Sequence, residues 1–118
     1  MSLADKSCVP CRGGIPPLTP EQIAPLAGQV PAWRVVDHHH IVREWKLPDF
    51  AAALALANRI GALAEDQAHH PDLELGWGRL VATLYTHKID GLAEADFILA
   101  AKIDRLPTPR RPASGETP

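Results

Sequence analysis

Hydrophobic positions along this chain switch between two spacings, and the switches mark its elements. The chain first turns regular at Thr19-Pro20-Glu21-Gln22. Thr19 can cap a helix, Pro20 suits the first helical position, and Gln22 can close a capping box. Pro25 removes a rung from the ladder, so this helix is expected to be short, with Gly28 and Pro31 ending it. β-branched and aromatic residues then predict strands over 33–36 and 40–47, with a turn across 37–39.

From Pro48 the period becomes 3.6. Asp49 is the expected N-cap, and Phe50, Leu54, Ala57, Ile60, Ala64 and Ala68 form one stripe, widened by Leu56 and Leu63. Pro71 pushes its predecessor out of helical geometry, which places His69 and His70 at the helix end. Alternation returns over 73–77, Gly76 and Gly78 permit a tight reversal around Trp77, and 79–87 reads as another strand. On it Leu80, Ala82, Leu84 and Thr86 share one face. A last helix is predicted over 94–105, with Phe97, Ile98, Leu99, Ile103 and Leu106 apolar. The order α-β-β-α-β-β-α implies an α+β fold: a four-stranded antiparallel sheet with helices packed on one face. Such a sheet has open edges, so pairing between subunits is expected.

Composition narrows the classes of function. The 118 residues suffice for one domain, 46% are hydrophobic, and the formal net charge is −2. Residues 19–106 are expected to form the domain, between a Gly/Pro-rich arm (1–18) and a disordered Pro-rich tail (107–118). The only basic run is the short RLPTPRRP, so direct nucleic-acid binding is not expected. No apolar run has membrane-spanning length and no signal-peptide core is present; a cytoplasmic protein is the expectation.

Two motifs carry candidate chemistry. Cys8 and Cys11 form a Cys-x-x-Cys pair with no second pair to complete a zinc site. Among six histidines, His38, His39 and His40 straddle a turn, where consecutive side chains should diverge into solvent. His69 and His70 leave a helix end, and His87 ends a predicted strand; if those ends adjoin, three imidazoles line one pocket. Imidazole titrates at about pH 6.5, so acid–base work is open to them. Three imidazoles and a water would also make a zinc site, although adjacent residues rarely present both rings to one ion. Spacing alone leaves acid–base, metal and structural uses open.

The residues His69-His70-Pro71, Trp77, Thr86-His87, Gly91-Leu92 and Asp96, with Trp33 and Glu65, resemble the signature of the pterin-4a-carbinolamine dehydratases. The likeness covers roughly residues 18–106 and the order of elements, and CVPCRGG followed by PPLTPEQI resembles the arm of many bacterial members. The resemblance implies loss of water from a 4a-hydroxytetrahydropterin, formed by an aromatic amino-acid hydroxylase, to give the quinonoid dihydropterin. It implies no metal and no organic cofactor, the pterin being the substrate. It assigns His70 and His87 to proton transfer and His69 to assisting the leaving hydroxyl. It places Ala68, Pro71, Tyr85, Thr86, Lys88 and Asp96 at the pterin, with Glu65 orienting a histidine or holding the pterin's polar edge. Trp33 and Trp77 read as core rather than as stacking platforms.

Three alanines depart from the family pattern. Ala93 stands where many members have a capping Thr, Ala95 where a polar or basic residue is common, and Ala68 where some carry an acid. None removes a proton-transfer group. The resemblance also implies homodimers or homotetramers. It carries a second class of function: non-enzymatic members serve as a dimerisation cofactor of a homeodomain transcription factor, and related proteins as RuBisCO assembly factors of carboxysomes.

Overall fold

The computed structural model describes residues 3–6 and 16–107. Cys8, Cys11 and the tail from 108 onward lie outside the described residues.

The first helix, α1 (Pro20–Ala27), starts as its sequence predicts. The Gln22 N–H donates to Thr19 Oγ1 at 3.3 Å, and the Thr19 N–H donates to Gln22 Oε1 at 2.8 Å. Strand β1 (Arg34–Val36) then turns into β2 (His40–Lys46). Asp37 and His38 take φ of 53° and 54°, and the His39 N–H reaches Val36 O at 2.9 Å. Two central residues with positive φ match the right-handed twist of the strands that they join.

The long helix α2 (Phe50–Gln67) is capped by Asp49, which accepts from the Ala52 N–H at 2.8 Å. Its buried face is Ala53, Leu56, Ile60 and Ala64: Leu56, Ile60 and Ala64 belong to the expected stripe, whereas Phe50 and Leu54, 45% and 41% exposed, do not join it and Ala53 takes their place. In a segment this rich in Ala and Leu, several helical phases satisfy the 3.6 period. Packing on the sheet selects the phase with small side chains at both ends of the contact.

Strand β3 (Asp72–Gly76) and strand β4 (Arg79–Leu84) form the second hairpin. All pairings are antiparallel and the strand order is β1-β2-β4-β3, so the two hairpins meet through β2 and β4 in the centre. The edges are β1 and β3. Ile41 and Trp45 of β2 join Leu80, Ala82 and Leu84 of β4 on the face that packs on the helices. Trp77, expected in the core, sits at the tip of the hairpin and is 74% exposed. The reversal leaves it no partner layer, whereas Trp33 is buried edge-on to Trp45 at 5.9 Å and donates to Asp104 Oδ1 at 2.8 Å.

The last strand is shorter than its pattern predicts. It stops at Leu84, and His87 begins a 3-10 turn (His87–Ile89) instead of ending the strand. Thr86 and Gly91 close that turn as an isolated bridge, with the Thr86 N–H reaching Gly91 O at 2.8 Å. The final helix, α3 (Glu94–Asp104), is buried from Ala95 to Ala100 and again at Ile103. A helix apolar all round needs neighbours on every side. It packs against α1, α2 and a 3-10 turn at Leu3–Asp5, where Lys102 Nζ donates to Ala4 O at 3.0 Å.

Candidate active site

The register of the second hairpin assembles the site. Asp72 pairs with Thr83, so the chain leaving α2 runs beside the chain leaving β4. Residues 68–72 and 85–88 then face each other across a cavity of about 370 Å³. His69, His70 and His87 all line it, together with Ala68, Pro71, Asp72, Tyr85, Thr86 and Lys88. The sequence expectation that one pocket gathers these three imidazoles therefore matches the geometry.

The entry of His69 into the pocket is fixed by how α2 ends. Ala68 takes the left-handed conformation (φ 53°, ψ 37°). The Ala68 N–H reaches Glu65 O at 3.3 Å and the His69 N–H reaches Ala64 O at 3.2 Å. These are the two hydrogen bonds of a Schellman motif, a position usually held by glycine. The turn sends the two neighbouring imidazoles to different environments. His69 tucks in, with its side chain 14% exposed, while the His70 side chain is 58% exposed.

Behind His69 lies Asp96, with no solvent exposure. It does not line the cavity; it anchors what does. Its Oδ1 lies 2.6 Å from His69 Nε2, while Oδ2 accepts from Thr86 Oγ1 and from the Ala93 N–H, each at 2.9 Å. A carboxylate only accepts, so Nε2 of His69 carries a hydrogen, and in the neutral ring Nδ1 keeps the lone pair. His70 is held in the same way on the solvent side, by a short contact from Nε2 to Glu65 Oε2. The third imidazole has a looser carboxylate neighbour, Asp72 Oδ2 at 4.0 Å, and is stacked on Tyr85 at 4.2 Å with 10° between the rings.

Two residues in or beside the pocket, Asp72 and Asp90, were not named from the sequence, and His39 was expected only as a solvent-facing turn residue. Asp72 directly follows Pro71, and only the strand register shows that it faces His87. His39 and His40 were expected to diverge, yet their Nδ1 atoms lie 3.0 Å apart and both rings turn toward Tyr85. The cause is again register: Ile41 pairs with Leu84, which brings residues 39 and 40 level with 85 and 86. His38 alone is exposed as expected. Among the described residues no group of three or more His, Cys, Asp or Glu side chains is arranged as a metal site. The pocket offers two imidazoles, His69 and His70, each held at Nε2 by a carboxylate, the His87 ring stacked on Tyr85, and Lys88 in its lining.

Comparison with known proteins places the chain in a family. The family model described as pterin 4 alpha carbinolamine dehydratase matches residues 16–106. A protein of Rubrobacter xylanophilus, provisionally named a pterin-4-alpha-carbinolamine dehydratase, is 57% identical over 88% of this chain and 97% of its own. A crystal structure of a transcriptional coactivator/pterin dehydratase from Brucella melitensis superposes with a TM-score of 0.70 at 29% identity, covering 75% of this chain and 95% of that one. A pterin dehydratase-like protein identified as a RuBisCO assembly factor in the alpha-carboxysome shares the fold, with a TM-score of 0.53 at 23% identity over 62% of this chain and 86% of that one. The match over nearly the whole described domain, with the His-lined pocket inside it, shows that the chain belongs to the pterin-4-alpha-carbinolamine dehydratase family.

Proposed function

We propose that this protein dehydrates a 4a-hydroxytetrahydropterin to the quinonoid dihydropterin, with the pocket histidines as proton-transfer groups. One observation carries the reading: three imidazoles share a cavity, and two of them are held by carboxylates on the ring nitrogen Nε2. The chemistry asks for that. The lone pair of pterin N5 forms the C4a–N5 double bond as the C4a–O bond breaks. The departing hydroxyl gains a proton, N5 loses one, and the sum is one water released with no change of oxidation state. The base and acid must both be placed within hydrogen-bond reach of the substrate.

His70 and His87 stand on the open side of the cavity, and we assign them the proton transfers around the ring. His69, the most enclosed of the three, is assigned to the leaving hydroxyl, oriented by Asp96. Ala68, Pro71, Tyr85, Thr86 and Lys88 would hold the pterin, which is the substrate; no metal or organic cofactor enters the scheme. The substrate would come from an aromatic amino-acid hydroxylase in the cytoplasm, and homo-oligomers would form through the open sheet edges. The assembly-factor reading has the fold likeness behind it and no feature of this pocket.

The test generates the 4a-hydroxypterin with a phenylalanine hydroxylase and follows its loss by ultraviolet absorbance. Wild type should accelerate dehydration, with or without a chelator. His70→Ala and His87→Ala should each lose about 10²- to 10⁴-fold, the usual weight of a positioned acid or base. Folded wild-type protein without any effect on the rate would sink the enzyme reading and leave a partner-binding role.

A further inference from the structure

We propose that His39, outside the pocket, is a positioning residue that holds the His87 imidazole through the Tyr85 ring; the inference rests on the dehydratase reading. Tyr85 contacts both imidazoles. His87 lies parallel to it at 4.2 Å, and His39 packs on it at 4.7 Å with a 39° tilt. His87 needs such support. Its side chain is 59% exposed, and its nearest carboxylate, Asp72, is at 4.0 Å, beyond hydrogen-bond range. His39 is itself fixed at both nitrogens. Nε2 lies 2.7 Å from Asp90 Oδ1, and Nδ1 lies 3.0 Å from Nδ1 of His40. Because the carboxylate accepts at Nε2, Nδ1 of a neutral His39 accepts from His40.

The geometry makes this more than neighbourly packing. Asp90 ends the same 3-10 turn that His87 begins, and its N–H returns to His87 O at 3.2 Å. His39 thus grips the turn twice, by a hydrogen bond at its far end and by ring contact, through Tyr85, at its near end. The turn between β1 and β2 reaches across to the loop after β4 because those strands are neighbours in register.

The experiment compares wild type with His39→Ala, His39→Phe and, as a control on the exposed neighbour, His38→Asn, which suits the positive φ there. Two readouts are taken: the His87 ring resonances by nuclear magnetic resonance, which sense the Tyr85 ring, and the kcat and KM of dehydration. In His39→Ala the His87 resonances should move and kcat should fall roughly tenfold with KM little changed, short of the about 100-fold that a full ångström of misplacement costs. His39→Phe keeps a ring on Tyr85 and should recover much of both; His38→Asn should match wild type. Should His39→Ala fail to fold, His39→Gln, which keeps a donor for Asp90 and removes the ring, carries the same comparison. Unmoved His87 resonances and unchanged kcat in the folded variant overturn the inference. Moved resonances in a protein that shows no dehydratase activity at all would instead uphold the ring support and remove the functional reading beneath it.

Discussion

His69 Nε2 stands 2.6 Å from Oδ1 of Asp96, and this contact ties the His-lined pocket to the first turn of α3. Three donors converge on the buried Asp96 carboxyl: the imidazole, the Thr86 hydroxyl and the Ala93 N–H. Asp96→Asn is nearly isosteric but turns one acceptor oxygen into a donor, so one of the three meets a donor instead. The expected cost is about 1–3 kcal/mol, the penalty for an unmade buried hydrogen bond. If the dehydratase reading holds, the rate should fall by about 10²-fold or more as His69 loses its orientation. Thermal unfolding and the dehydration assay check the two parts. A variant as stable and as fast as wild type would mean that Asp96 neither holds His69 nor supports the helix start.

Glu65 makes the opposite case. It holds His70 from the solvent side, with side chains 77% and 58% exposed, respectively. Exposed pairs contribute about 0–1 kcal/mol, so Glu65→Gln should leave the urea midpoint almost unmoved. If the dehydratase reading holds, dehydration should nevertheless slow, and the loss should shrink as salt is raised, because screening already weakens the wild-type pair. Equal effects on stability and on turnover would argue against an orienting role.

How far the site was legible depended on whether its cause was local. The cap at Thr19, the arrest of α2 before Pro71 and the hairpin at Trp77-Gly78 are decided within a few residues, and the sequence marks them. The convergence of His69, His70 and His87 needed one non-local step, the pairing of β3 with β4, which the hairpin signal supplies. The roles of Asp72, His39 and Asp90 needed strand register, to which the sequence pattern assigns no value. The first turns of α2 show the same limit: Phe50 and Leu54 fit the period as well as the buried Ala53 does. Only the shape of the partner surface separates them.

Ala68 is held at φ 53°, in the left-handed region that glycine adopts without steric cost. Its N–H and that of His69 complete the Schellman pair. Ala68→Gly should therefore stabilise the protein by about 0.5–1 kcal/mol, the removed Cβ strain outweighing the added freedom of the unfolded chain. Chemical denaturation would show the midpoint rising with an unchanged slope. A fall in stability would mean that the methyl group makes packing contacts worth more than the strain.

Gly91 is required by contact instead of by φ. A Cβ placed there would lie 2.6 Å from Cβ and 2.8 Å from Cγ of Pro17. The Pro17 ring cannot swing away, and its neighbour is tied down by the Leu18 N–H on Leu92 O at 2.8 Å. Gly91→Ala should cost about 1–3 kcal/mol, as overpacking does. Pro17→Gly in the same chain should return part of that loss, which a double-mutant cycle would measure. Strict additivity of the two changes would rule out the clash as the cause.

The start of α3 is half built. Ala93 has the extended backbone of an N-cap (φ −126°, ψ 167°), and Asp96 Oδ2 already accepts from its N–H at 2.9 Å. What is missing is the reciprocal bond, because a methyl group cannot accept from the Asp96 N–H, which reaches only Ala93 O at 3.1 Å. Ala93→Thr supplies the oxygen and should raise stability by about 1 kcal/mol. For a domain of this size that moves the unfolding midpoint up by about 4–8 °C. Ala93→Val has nearly the same shape without the hydroxyl and should give none of the gain. If the two variants melt together, the added bulk and not the cap sets the stability, and the Asp96 N–H is already served well enough by the helix itself.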